Sequence, residues 1–193
     1  MSIGEPLKQS KSVCRAFRRG YGAAMDVENG IRTRRTHKTF GPEAVPREVV
    51  EELLELARWA PNHRLTQPCR FRVIGPETFA RLAAAGQPNE AEKLGRAPTL
   101  VVASAKLTGD AYQNREDVLA TACAVYIVLL AAHARGLASY WRTPALFETR
   151  AGREAVGLAD DEEFVALIHL GPPKHNPPAK ERKPVEEYVT FLP

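Results

Sequence analysis

The chain has 193 residues, 44% hydrophobic and 26% charged, which suits one domain with a full core and excludes general disorder. The net charge is +4, and residues 1–24 carry all of it: Lys8, Lys11, Arg15, Arg18 and Arg19 stand against one acid, Glu5. From Met25 onward acids and bases balance, so the body lacks the electrostatic footprint of a DNA- or RNA-binding protein.

Residues 1–24 hold no apolar stretch of signal-peptide type and match a transit peptide poorly. They read as a loosely ordered basic extension, with Met25-Asp26-Val27-Glu28 as the start of the folded domain or an alternative start of the chain. The domain expected is 25–193, with 172–193 as a C-terminal arm. A short helix follows Asp26, anchored by Ile31, and Gly41-Pro42 breaks the chain. Pro46 stands at a first helical position, and Val49, Val50, Leu53, Leu54 and Ala57 recur at helical spacing up to Ala60-Pro61. A polar loop, Pro61 to Pro68, leads into a strand at Phe71–Ile74, which Gly75-Pro76 ends. A helix over Glu77–Ala85 and a loop through Gly86, Pro88 and Asn89 come next.

Thr99 to Ala105 is continuously apolar and β-branched at its centre, as in a strand buried on both faces. The longest helix is predicted over Asn114–His133, buried and apolar nearly all round, with Cys123 as a small packed hydrophobe. Gly136 stops it. A strand through Leu137–Trp141, a short helix over Thr149–Val156 and a last core strand over Phe164–Leu170 complete the body. The proline-rich tail ends in a strand-like Tyr188–Leu192 that needs a sheet edge, which a partner subunit could supply. No apolar run reaches membrane-spanning length without polar interruption.

Much familiar chemistry is absent. There is no G-x-G-x-x-G, Walker A, G-x-S-x-G or H-E-x-x-H sequence. The three cysteines (Cys14, Cys69, Cys123) are odd in number and unpaired in spacing, and the five histidines do not cluster with acids. This argues against disulfides and metal sites and for a reducing, cytoplasmic setting. What remains is a basic cluster, Arg34-Arg35-Thr36-His37-Lys38, followed by the loop Pro61–Pro68 and Trp141-Arg142-Thr143. Guanidinium forks match phosphate oxygens, so the cluster suits a phosphorylated cofactor, although such a run can also be a solvated turn.

Taken together, in this order and around a long helix, the three constellations resemble the FMN-dependent nitroreductase family, in its minimal subgroup. Arg34-Arg35-Thr36-His37-Lys38 is similar to its Arg-x-Ser/Thr-x-Lys element. Ala60-Pro61-Asn62-His63 with Gln67-Pro68 and Phe71-Arg72-Val73-Ile74 is similar to its second element. Gly136-Leu137-Ala138-Ser139 and Trp141-Arg142-Thr143 are similar to its later one. The resemblance, over about residues 25–192, implies an α+β nitroreductase-like fold: a central mixed sheet flanked by helices, FMN at a homodimer interface, and C-terminal arms exchanged between subunits.

It also implies roles. Arg34, Arg35 and Thr36 would take the FMN phosphate, and Lys38 would lie near the reacting ring. His63, Trp141, Arg142 and Thr143 would be flavin contacts, Trp141 reading equally well as a core aromatic. Ala131, Ala132, His133, Ala134, Arg135 and Gly136 would lie at the NAD(P)H contact. The implied activity is ping-pong transfer from NADH or NADPH through FMN to a small nitroaromatic, quinone or similar acceptor. No metal, nucleic acid or membrane partner is implied. A non-catalytic flavin-binding protein on the same fold is the alternative. Two residues depart from the pattern: Cys69 stands where the family often has tryptophan, and Trp59 where close minimal relatives have arginine.

Overall fold

The computed structural model describes residues 25–193; the basic extension 1–24 and Cys14 lie outside the described residues. Helix α1 (Val27–Thr33) opens with Asp26, whose carboxylate accepts from the Asn29 amide at 2.8 Å. Helix α2 (Arg47–Ala57) begins just after Pro46 and buries Val49, Val50, Leu53 and Ala57, the stripe expected from spacing. A single 3₁₀ turn, His63–Leu65, precedes β1 (Cys69–Val73). Helix α3 (Pro76–Ala85), the short α4 (Glu90–Leu94) and β2 (Thr99–Lys106) follow. Helix α5 (Ala111–Ala134), β3 (Ala138–Arg142), α6 (Arg150–Ala155) and β4 (Glu162–Gly171) complete the body.

The four strands form one sheet in the order β1-β2-β4-β3, with every neighbouring pair antiparallel. A mixed sheet was expected; the one parallel pairing among the described residues is the isolated bridge Thr36–Ser139 at the β3 edge. Strand β2 is buried on both sides, and its side chains alternate between two cores, as a pleated strand requires. Val101, Ala103 and Ala105 meet α2 and α5, together with Val125, Val128 and Ile168. Leu100 and Val102 meet the opposite layer, with Leu82, Phe147 and Leu167. Each such large apolar side chain contributes about 1.5–3 kcal/mol on burial.

The long helix starts earlier than expected, capped by Asp110, which accepts from the Tyr112 amide at 2.9 Å. It ends as Gly136 was expected to end it. Gly136 has φ +70, and the Leu137 amide reaches back to the Ala132 carbonyl at 2.9 Å, which closes the orphan carbonyls of the last turn. By length and composition α5 could cross a membrane, yet half of its apolar window is packed inside this core. The other half is not. Leu119 is 52% exposed, Tyr126 38%, and Cys123 is exposed, so Cys123 is a surface residue and the helix is buried on one face only.

Three further expectations are corrected. Ile31 is 50% exposed, and only Gly30 of α1 is buried. The stretch read as a loop after Gly86 contains α4, too short for a periodic signal. Tyr188–Leu192 is not a strand: a 3₁₀ turn, Val185–Glu187, is followed by irregular backbone with Phe191 93% exposed.

One ion network fastens the outer end of the sheet. Arg72 donates to Ser104 Oγ at 2.9 Å and to Glu162 Oε1 at 2.8 Å, and Ser104 donates to Glu162 Oε2 at 2.6 Å. Burial alone would push the Glu162 carboxyl up. The hydrogen bonds of Arg72 and Ser104 and the charges of Arg72 and Arg70 prevail and leave it below its ordinary value of 4.5. A depressed folded value stabilises above the unfolded value and loses that contribution as pH falls through the folded one. The stability gap between wild type and Glu162→Gln should therefore shrink on acidification below about pH 4.5. Urea unfolding of both proteins across that range checks this; a gap independent of pH would contradict it.

Candidate functional site

The basic cluster leaves α1 as an extended segment laid along β3. The His37 amide donates to the Ser139 carbonyl at 3.1 Å, and Thr36 bridges the same residue. The chain then runs to Phe40 and Gly41, which pair with Pro173 and Pro172. Both ends of the cluster are thus fixed by backbone bonds, and its alternate side chains turn outward. His37 turns inward and is buried, its Nδ1 3.2 Å from the Arg35 carbonyl. Burial lowers its pKa, against the Asn176 and Arg35 hydrogen bonds that raise it.

Arg34, Arg35, Thr36 and Lys38 line one cavity of about 1130 Å³. Two cations that the sequence reading did not single out, Lys180 and Arg182 of the proline-rich arm, line it too, with Ile31, Tyr126 and Tyr188 as apolar wall. Of the acids only Glu28 is present, and it is paired with Arg32 at 3.8 Å. The Nε of Arg34 is buried without an acceptor. A buried donor left unmade costs about 1–3 kcal/mol, and the cations gathered around the cavity give it the charge to attract an anion. Arg35 is different, since its Nη1 is bound to the Arg32 and Arg34 carbonyls at 2.7 and 3.0 Å.

A second cavity of about 880 Å³ lies between α2 and the β1 edge, lined by Val50, Leu54, Val73, Ile74, Phe79 and Leu100 among others. Its two charged residues, Arg47 and Glu51, are paired with each other at 2.7 Å. It lacks convergent polar groups, and the cationic cavity is the better candidate.

The remaining expected residues lie off that cavity's lining. Ala131, Ala132, His133, Ala134, Arg135 and Gly136 form the last turn and cap of α5, with Ala131 and Ala132 buried. Arg135 meets Glu52 at 3.6 Å. His133 lies next to the cluster, its Nε2 2.8 Å from Thr33 Oγ1. The Thr33 hydroxyl gives its proton to the Asn29 carbonyl, so His133 is the donor to Thr33. Burial and the nearby Arg34, His37 and Arg35 lower the His133 pKa, so both imidazoles beside the cluster favour the neutral form.

Trp141 packs against the main core, and its indole donates to the Val165 carbonyl at 3.2 Å. Arg142 is paired with Glu90 of α4 at 3.0 Å. Thr143 is exposed. His63 stands edge-on to Tyr112 with ring centroids 6.1 Å apart, on a loop where Arg64, Leu65 and Gln67 all have φ near +50. Trp59 is 75% exposed, with the Arg58 guanidinium 5.9 Å from its ring. Among the described residues no group of three or more metal-binding side chains occurs.

Comparison with known proteins agrees with this arrangement. The Nitroreductase family model matches residues 31–172. A Bacillus subtilis protein named "Putative NAD(P)H nitroreductase YfhC" is 30% identical over 84% of this chain and 92% of its own length. A nitroreductase-like family protein of Bacillus cereus superposes with a TM-score of 0.81 at 25% identity, over 89% of this chain and 98% of that one. A Desulfovibrio desulfuricans structure, titled a nitroreductase only provisionally and solved in complex with FMN, gives 0.74 at 30% identity, over 88% and 98%. With its α+β fold and its cationic cluster seated against the sheet edge, the chain belongs to the nitroreductase family.

Proposed function

We propose that the protein is an FMN-dependent oxidoreductase that takes hydride from NADH or NADPH and reduces a small acceptor of the nitroaromatic or quinone type. The observation that carries this is the one cavity that gathers Arg34, Arg35, Thr36, Lys38, Lys180 and Arg182. A phosphate monoester brings about −1.5 to −2 charges and three acceptor oxygens, which fits this donor set. The relatives' names and the FMN complex of one of them support the same reading.

When bound, FMN supplies the hydride chemistry, and the chain supplies binding, orientation and field. Arg34, Lys180 and Arg182 neutralise the phosphate, and Thr36 offers a hydroxyl to it. Arg35, tied to backbone carbonyls, stiffens the segment. Lys38 places a fixed cation on the same wall for the ring portion that gains negative charge. His63 and Thr143 are the exposed candidates for further contact, whereas Trp141 and Arg142 back the site from within, held by Val165 and Glu90. The end of α5 from Ala131 to Gly136 is the candidate for nicotinamide contact, His133 being its chemically equipped member. Reductant and acceptor use one site in turn.

The half-exposed apolar face of α5, with Leu119 and Tyr126, borders the cavity through Tyr126, where Ile31 of α1 also lines it. This favours a homodimer whose interface completes the site, with the apolar residues of the exposed arm, Val189, Phe191 and Leu192, exchanged between subunits. The two described cysteines are free, in keeping with a cytoplasmic setting, which cell fractionation would check. Protein reconstituted with FMN should sediment at twice the 21.3 kDa of the chain, and its flavin absorption should bleach with NADH or NADPH. Bound FMN that never bleaches would leave a flavin-binding protein without turnover.

A further inference from the structure

Among the described residues, the loop between α2 and β1 holds all the non-glycine positions with positive φ. Arg64, Leu65 and Gln67 have φ of 57, 53 and 48, a region that side chains with a Cβ avoid. Such a conformation persists only where its surroundings over-determine it, and strain of this kind collects at functional sites. Within the loop, Asn62 Oδ1 accepts from the Gln67 amide at 3.1 Å, and the Asn62 amide group donates to the Ala60 carbonyl at 3.3 Å. Those bonds close the loop on itself. They do not fix it to the rest of the protein.

The long-range fastening comes from α5. Asp117 is fully buried, and its Oδ1 accepts from Thr66 Oγ1 at 2.6 Å and from Gln113 Nε2 at 3.0 Å. The Thr66 hydroxyl has one proton and also lies 3.4 Å from the His63 carbonyl; the short contact to the carboxylate takes it. Asp117 Oδ2 has no partner. A buried carboxylate that is only half satisfied is an expensive way to fill a core position and weak evidence for stability. What it provides is a short, directional, charge-assisted bond to an exposed loop 51 residues away in sequence. On the same helix, Tyr112, the residue before Gln113, meets the ring of His63.

We propose that Asp117 is a positioning residue: through Thr66 it holds the 62–67 loop in its left-handed conformation and so presents His63 and the loop backbone to the flavin. The inference rests on the flavin reading for what the loop faces, and on geometry alone for what holds it.

The test uses Thr66, which is only partly buried, so that the core around Asp117 keeps its own side chains. Full-length wild type, Thr66→Val and Thr66→Ser are compared by limited trypsin digestion, following cleavage after the exposed Arg64 by peptide mass, and by fluorescence titration with FMN. With Thr66→Val, cleavage at Arg64 should quicken and the FMN Kd should rise, each by roughly tenfold for the loss of one charge-assisted hydrogen bond. Cleavage elsewhere should be unchanged, and Thr66→Ser, which restores the hydroxyl, should return both values towards wild type. Unchanged cleavage at Arg64 overturns the tether, and faster cleavage with an unchanged FMN Kd overturns the loop's part in the flavin site. A wild type that binds no FMN defeats the flavin reading instead, and the digestion still decides whether Asp117 holds the loop.

Discussion

Arg34→Ala is expected to weaken FMN binding by roughly 10- to 100-fold, the loss of a charge-assisted hydrogen bond to a phosphate with little else disturbed. The Nε of this side chain is buried and has no acceptor among the described residues, so its removal breaks no bond there. Melting of the FMN-free variant should accordingly match or exceed that of the FMN-free wild type, because an unmade buried donor has been deleted. The combination of lost affinity and retained stability separates Arg34 from its neighbour. Arg35 holds the Arg32 and Arg34 carbonyls, so Arg35→Ala disturbs the segment itself and lowers both. Fluorescence quenching of FMN on titration, with melting of the flavin-free proteins, reads both effects. If Arg34→Ala retains wild-type affinity, Arg34 is removed from the phosphate site and the functional reading loses its main support.

The part of this site that the sequence revealed is the part contiguous in the chain. Residues 34–38 are five polar or basic side chains in five consecutive positions, which no fold is needed to see. Lys180 and Arg182 join them from about 145 positions away, out of an arm whose prolines signal only extended chain. Strand β2 was readable because an apolar run from Thr99 to Ala105 has no solvent-facing side to alternate with. For α5 the same composition misleads. An apolar circumference states how much surface must be covered and is silent about whether the covering is this chain or another. Cys123 and Leu119 are therefore exposed although their helix looks wholly internal. Asp117 was missed for the opposite reason: near the start of a helix, among Glu116 and Arg115, an acid looks like solvated surface until the loop that covers it is in place.

The largest loss of stability is expected from Glu90→Ala. Glu90 and Arg142 are paired at 3.0 Å with side chains only 11% and 14% exposed, and Nη1 of Arg142 already has no partner. Removing the carboxylate strands a guanidinium inside the protein, a change that costs about 3–5 kcal/mol. For a chain of this size that lowers Tm by roughly 6–20 °C. His169 lies nearby, fully buried between Phe40 and Tyr140, and burial with the charges of Arg142 and Arg96 pushes its pKa down to about 3. It stays neutral and brings no negative charge to set against that of Arg142. The double variant Glu90→Ala/Arg142→Met, which removes both charges, should recover most of the lost stability, because an apolar pair in place of a buried ion pair is close to neutral. A double variant no more stable than Glu90→Ala would show that the cost is lost packing around α4. The same protein also tests Arg142 as a flavin contact. With the fold restored, an FMN Kd raised by about tenfold keeps Arg142 at the flavin, whereas an unchanged Kd assigns it wholly to Glu90.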